Sequence, residues 1–300
     1  MKKILLIAGG TGFIGYHLAK SALNRGFKVI SLSQNRPLNK RFLKKVKYIK
    51  ANIQDFVTLK KKLKIKFDYL INSSGYVDHS KKKIIYQTHY IGCKNLALIC
   101  LKKKIKHFIQ IGSSMEYGKK KSPQKEENYC NPLSVYGKAK LCASRFLLKL
   151  YKIYNFPVTI FRLYQVYGPN QDQNRFLPSV INSCAKNEKF PCSNGRQFRD
   201  FLYIDDLVDS IFLTLKNPKT KGEIFNVGCG KPLQIRNIIN KILDHYKLGK
   251  PKFGTIKLRK EEQMRVYPDI NKIKKKLNWK PKINFTKGLV KIIKYYNANQ

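Results

Sequence analysis

Carboxylates are scarce in this sequence. Asp and Glu number 17 against 62 Lys and Arg, a formal net charge of +45. An excess of that size fits a polyanionic partner such as nucleic acid, an acidic membrane surface or a phosphorylated substrate. It also fits a plain lysine bias. The lysines are spread along the whole length, in short runs such as 60–62, 81–83 and 274–276, with no long basic tail. Neither an RNA-binding aromatic motif nor zinc-finger spacing accompanies them. Compositional drift is the preferred reading, and nucleic acid is not expected as a partner.

Other absences narrow the class. Among the seven cysteines no Cys-x-x-Cys occurs, and the count is odd. The five histidines contain no His-x-x-x-His pair. Together these argue against a structural metal site and for a reducing, cytoplasmic setting. No apolar run approaches the roughly 18 residues a membrane-spanning helix needs, so membrane insertion is not expected. The opening Met1-Lys2-Lys3-Ile4-Leu5-Leu6-Ile7-Ala8 resembles the start of a signal peptide, but it stops in glycines well short of a secretory apolar segment. A buried first strand explains it better. Neither an internal repeat nor a disordered linker is evident.

Over the first half, short apolar runs alternate with amphipathic stretches, the rhythm of a parallel sheet with crossover helices. Strands are expected at Ile4–Ala8, Val29–Ser33, Val46–Ala51, Tyr69–Asn72, Phe108–Gly112 and Val158–Leu163. Helices are expected at Phe13–Arg25, Phe56–Leu63, Tyr86–Leu101 and Tyr136–Tyr154. Beyond about residue 165 Pro and Gly become frequent, and helices near Phe176, Ile204, Ile235 and Phe285 flank a short strand at Ile224–Val227. The pattern reads as an α/β chain: a Rossmann-type doubly wound parallel sheet over residues 1–165, then a smaller C-terminal substrate-binding lobe over 166–300, with room for the chain to cross between them.

Gly9-Gly10-Thr11-Gly12-Phe13-Ile14-Gly15 follows the first strand directly and opens the first helix. Glycines let a backbone turn tightly against a pyrophosphate, and the helix N-terminus offers it free N–H groups. Position makes this more than a lone glycine motif: it is the first turn of a βαβ unit. Gly9, Thr11, Gly12, Phe13, Ile14 and Gly15 are therefore candidate dinucleotide contacts. The second strand runs into Leu32-Ser33-Gln34-Asn35-Arg36. An acidic residue there holds the ribose hydroxyls of NAD. Ser33 and Arg36 in its place favour NADP, with NAD still possible.

Tyr136 and Lys140 form a Tyr-x-x-x-Lys element, and residues i and i+4 share a helix face. A phenol beside an ammonium can exchange a proton with a sugar hydroxyl while hydride moves to or from a nicotinamide. Spacing alone proves little: with 18 tyrosines, the same pattern also starts at Tyr16, Tyr90, Tyr117 and Tyr246. Context separates them. Tyr136 opens a long amphipathic helix and follows a strand ending in the hydroxyls Ser113-Ser114, and chemistry collects at the carboxyl ends of parallel strands. Ser113, Tyr136 and Lys140 are the catalytic candidates, and Tyr136 and Lys140 would also touch the cofactor.

These residues resemble the extended short-chain dehydrogenase/reductase family of nucleotide-sugar epimerases, dehydratases and reductases. The likeness spans essentially the whole chain: the glycine loop, Ser113-Ser114-Met115-Glu116-Tyr117-Gly118, Tyr136 to Lys140, Arg162, Tyr167-Gly168-Pro169, Arg199-Asp200-Phe201 and Leu277-Asn278-Trp279-Lys280-Pro281. It implies that Ser113 assists the tyrosine, that Arg199 and Arg259 bind a nucleotide diphosphate, and that Ser114 and Asn174 meet the sugar nucleotide. An arginine fork suits a diphosphate by its bidentate geometry. It also implies a homodimer. Within the family the stretch 167–201 is most similar to CDP-abequose and CDP-paratose synthases, which reduce a 4-keto-6-deoxy sugar nucleotide with NADPH for surface polysaccharides. A UDP-glucose 4-epimerase-like activity is the rival. A non-catalytic nucleotide-binding protein with a polyanion-binding surface is the alternative of another class.

Two departures stand out. The 4,6-dehydratases of the family carry Asp-Glu after the catalytic hydroxyl residue, where this chain has Ser114-Met115. His89 stands where the family often has Asn.

Overall fold

The computed structural model describes residues 2–76, 78, 80–258 and 262–298. The first half builds β1 (Ile4–Ala8), α1 (Phe13–Asn24), β2 (Lys28–Ser33), β3 (Val46–Lys50), α2 (Phe56–Lys62), β4 (Tyr69–Asn72), α3 (Lys82–Tyr86), α4 (Gly92–Lys103), β5 (His107–Ser113), α5 (Val135–Tyr154) and β6 (Val158–Leu163). The second half adds β7 (Gln165–Tyr167), α6 (Phe176–Ala185), β8 (Lys189–Cys192), β9 (Phe198–Tyr203), α7 (Ile204–Lys216), β10 (Ile224–Val227), β11 (Pro232–Gln234), α8 (Ile235–Tyr246), β12 (Lys250–Phe253), β13 (Arg265–Val266), α9 (Asn271–Leu277) and α10 (Phe285–Asn297).

Seven parallel strands form the main sheet in the order β10-β6-β5-β4-β1-β2-β3. Their continuous apolar runs have a direct cause. Side chains alternate across a strand, and here both faces are covered. Leu5, Ile7, Val29, Ile71 and Phe161 point into one core with α1 and α7. Leu6, Ala8, Ile30, Leu70 and Ile160 point into the other with α4 and α5. The order reverses beside β1, so the connections that leave β1 and β4 run to opposite sides and a crevice opens outside their paired carboxyl ends.

The division near residue 165 is not a clean cut. Ile204–Lys216 packs on α1, and Ile224–Val227 joins the main sheet as an edge strand on β6. The remaining second-half strands form two small sheets, β11-β9-β13 with β7 also on β9, and β8 paired with β12. The helix expected over 86–101 differs as well. It starts earlier, at Lys82, and a π turn at Gln87–Ile91 interrupts it. No described helix is long and apolar enough to cross a membrane.

A buried histidine makes acid stability predictable. His107 opens β5 at 2% exposure, with Nε2 2.8 Å from Thr159 Oγ1. That hydroxyl donates its single proton to the Thr220 carbonyl, so the imidazole N–H is the donor. Burial pushes its pKa down to about 4, and His17, bonded to the Pro169 carbonyl, is likewise pushed down to about 4. A depressed histidine stabilises the fold above its unfolded value of about 6.5, and that stability is lost as pH falls through the folded value. The loss should reach about 3 kcal/mol for His107. Asp200, pushed up to about 6 by burial, acts with the opposite sign. Comparing denaturant midpoints of wild type and His107→Gln from pH 7 to pH 4 isolates the histidine. The variant should show the shallower decline, and parallel curves would contradict the assignment.

Candidate active site

The glycine loop sits at the mouth of the crevice. Gly9 has φ +79°, and a Cβ there would lie 2.7 Å from the Ser73 and Ser74 backbone. A Cβ on Gly15 would lie 2.2 Å from the Gly9 carbonyl. Only glycine lets these segments close so tightly. Gly12 caps α1 with no side-chain hydrogen bond, and the first helical turn holds no acid. The N–H groups at this helix end are thus left for an anionic ligand. A dinucleotide diphosphate fits this cradle.

Three clefts share walls and form one groove. The central one, about 630 Å³, is lined by Gly9, Gly12, Phe13, Ile14, Gly15, Ser113 and Tyr136 among others. Gly9, Gly12, Ser73 and Gly75 also line a second, of about 480 Å³, that runs past Thr11, Ser33, Gln34 and Asn35. Gln165, Asn174, Phe176 and Phe201 are shared with a third, of about 650 Å³, in the smaller lobe.

Tyr136 reaches the central cleft because Ser134 caps α5, its hydroxyl accepting from Gly137 N at 3.1 Å. A Cβ on Gly137 would stand 2.5 Å from the Met115 carbonyl, so the glycine lets α5 press against the turn after β5. Lys140 is buried, and its Nζ donates to the Ile111 carbonyl at 2.7 Å. The same ammonium lies 5.8 Å from the centre of the Tyr136 ring. Ser113 Oγ accepts from Met115 N, which leaves its own proton for an acceptor in the cleft. Ser113, Tyr136 and Lys140 are thus brought together.

The other candidates fare unevenly. Ser33 lines the second cleft, its Oγ accepting from Thr11 N at 3.3 Å. Arg36 is exposed and is not in that wall. Ser114 is half-buried in the turn after β5, outside the lining of the central cleft. Asn174 lines both the central and third clefts, and Arg199 lines the third. Arg199 is held by an ion pair with Glu262 and donates to the Phe198 carbonyl. Arg259 lies outside the described residues. Among the described residues no group of His, Cys, Asp or Glu is arranged to hold a metal.

Sequence reasoning missed several groups. Glu116 is wholly buried, accepting from Ser113 N at 2.9 Å, Ser144 Oγ at 2.9 Å and Arg162 Nε at 3.0 Å. It braces the strand end that carries Ser113. Arg41, also buried, donates to the Asn170 carbonyl and pairs with Asp172, tying the segment after β2 to the wall of the central cleft. The Ser73–Tyr76 wall was open to discovery, because it follows a parallel strand at its carboxyl end.

A sequence profile of the NAD dependent epimerase/dehydratase family matches residues 5–228. The chain belongs to this family. Its members are enzymes, and relatives span the full length. A putative UDP-glucose 4-epimerase of Methanocaldococcus jannaschii is 27% identical over 99% of both chains. CDP-abequose synthase of Salmonella muenchen is 26% identical over 98% of both. In fold, the chain superposes on UDP-glucose 4-epimerase with UDP-glucose from Thermotoga maritima with a TM-score of 0.92, at 22% identity over 99% of each.

Proposed function

We propose that this family member moves hydride at C4 of a nucleotide-linked hexose, and that it works as a reductase of a 4-keto-6-deoxy sugar nucleotide using NADPH. The convergence of Ser113, Tyr136 and the glycine loop on one cleft carries this reading. When bound, a nicotinamide supplies the hydride. The N–H groups at the start of α1 hold its diphosphate, and Ser33 with its neighbours receives the ribose. Tyr136 gives its phenolic proton to the C4 oxygen. Ser113 directs its hydroxyl proton to the same oxygen. Lys140, fixed on the Ile111 carbonyl, keeps a positive charge near the phenolate that results. Arg199 exchanges Glu262 for the sugar nucleotide's diphosphate, Arg259 adds to it, and Asn174 bridges the two clefts.

Two features favour reduction over the family's other reactions. Dehydration across C5–C6 needs an acid and a base. Ser114 and Met115 follow Ser113, and the next acid, Glu116, is already engaged by Arg162, Ser144 and Ser113. Secondly, no described residue lining the ribose end of the groove is a carboxylate. A 2′-phosphate meets no repulsion there, which suits a reductant consumed in each turnover. The second reading is UDP-glucose 4-epimerisation, supported by the relative from M. jannaschii; it uses the same residues. Cofactor oxidation measured with CDP-, dTDP- and UDP-linked 4-keto-6-deoxyglucose tests the choice. The expected result is oxidation of NADPH in preference to NADH with at least one of them. UDP-glucose epimerised without net oxidation would replace reduction by isomerisation. Inertness with every sugar nucleotide would favour a non-catalytic binding role.

A further inference from the structure

We infer that His89 is a positioning residue that holds the Tyr136 ring and the Ser73–Tyr76 wall of the cofactor groove in fixed relation to each other. The inference rests on Tyr136 being the proton donor, as proposed above. A π turn widens a helix by one residue, displaces the local ladder and is frequent at functional sites. Here the turn Gln87–Ile91 packs on α5, the helix that carries Tyr136, and His89 at its centre is 4% exposed.

One imidazole then makes two kinds of contact. Its ring meets the Tyr136 ring edge-to-face, with centroids 4.9 Å apart and planes at 86°, a favourable aromatic geometry. Its Nε2 lies 3.3 Å from Tyr76 N and 3.1 Å from Tyr76 O. With the proton on Nδ1, Nε2 accepts from Tyr76 N–H; with the proton on Nε2, it donates to the Tyr76 carbonyl. Either tautomer grips the same residue. A Cβ on Gly75 would stand 3.2 Å from His89 Cε1, so the wall lies directly on the ring. Gly75 lines both the central cleft and the ribose-end cleft, and Tyr76 lines the latter. The loop preceding them is itself packed on Gly9. The imidazole therefore connects the phenol to the groove that receives the nicotinamide cofactor. A purely space-filling role would need the ring but not the backbone hydrogen bond.

Two variants separate these roles. His89→Phe keeps an aromatic edge against Tyr136 and loses the bond to Tyr76. His89→Gln replaces the imidazole Nε2 by a side-chain amide that can donate to or accept from the Tyr76 backbone. Whichever of NADPH and NADH the wild type binds more tightly is titrated by fluorescence without sugar nucleotide, and kcat and KM are measured with the 4-keto substrate. Loss of one such hydrogen bond is expected to weaken cofactor affinity about tenfold in the Phe variant and to lower kcat by about the same factor. KM for the sugar nucleotide should stay near its wild-type value, and the Gln variant should recover most of both losses. If the Phe variant does not fold, His89→Leu takes its place with the same expectation. Equal cofactor affinities in wild type and the Phe variant, or equal losses in the Phe and Gln variants, would overturn the inference. The cofactor titration needs no sugar. An enzyme inert toward every sugar nucleotide would sink the C4 reading, while the contrast between the two variants would still decide the role of His89.

Discussion

Tyr136→Phe is expected to lower turnover by about a thousandfold, the middle of the range that a positioned proton donor contributes. The substitution removes one oxygen and leaves the ring. The edge-to-face contact with His89, the Ser134 cap and the Lys140 bond to the Ile111 carbonyl all remain. Cofactor affinity should stay near the wild-type value, because the change leaves the glycine loop and the groove walls untouched, so the loss appears in kcat. Single-turnover mixing with a saturating 4-keto sugar nucleotide measures this. Wild-type rates in Tyr136→Phe would mean that another group supplies the proton. Among the other tyrosines followed by lysine at the fourth position, Tyr117 is buried with its hydroxyl on Asn226 Oδ1, and burial pushes its pKa up. It has no part in such an exchange.

Glu116→Ala should be the most damaging substitution for stability. The carboxylate is fully buried, and its partner Arg162 is 3% exposed, with the guanidinium also 4.5 Å from the Tyr117 ring centre. Deleting one member of such a pair leaves an uncompensated buried charge and costs about 3–5 kcal/mol. Ser113 N and Ser144 Oγ lose their acceptor in the same step. Ser113 then moves, so activity falls along with the unfolding midpoint. Removing both charges in Glu116→Leu/Arg162→Met should cost less than the sum of the two single changes. Urea denaturation of Glu116→Ala, of Glu116→Leu and Arg162→Met singly, and of the double variant measures this. A Glu116→Ala change within about 0.5 kcal/mol of wild type would be surface-like behaviour and would contradict the brace.

The parts of this molecule legible in its sequence are those set by local pattern. The run Ile4–Ala8, the glycines after it and the helix from Phe13 are one continuous signal, and the parallel order of the first strands follows from crossover rules. The places of Tyr136 and Ser113 in the fold were legible for the same reason, as they mark the start of a helix and the end of a strand. Long-range pairings were not. The four residues Ile224–Val227 carry no mark of the strand they join, and their place on β6 depends on a partner over sixty positions earlier. The hold of Glu262 on Arg199, the grip of Arg41 on Asn170 and the anchoring of Lys140 on a strand carbonyl are likewise set by tertiary approach. Arg36 shows the converse. Its charge suited a 2′-phosphate in the sequence, but its side chain is exposed beside the groove and does not line it. The π turn at Gln87–Ile91 was hidden because the helical segment before it, Lys82–Tyr86, has only five residues, too few to set a phase against which a one-residue skip stands out.

Hydride arriving at C4 of a sugar nucleotide is the central step proposed for this enzyme, and isotope transfer tests it directly. NADPH deuterated at the transferable position is incubated with the enzyme and an NDP-4-keto-6-deoxyhexose, and the product is read by proton and deuterium NMR. Deuterium at C4 of a 6-deoxy sugar, in one stereoisomer, with equal consumption of NADPH, is the predicted result. Oxidised cofactor with deuterium at any other carbon, or complete inertness toward every 4-keto sugar nucleotide offered, would contradict it.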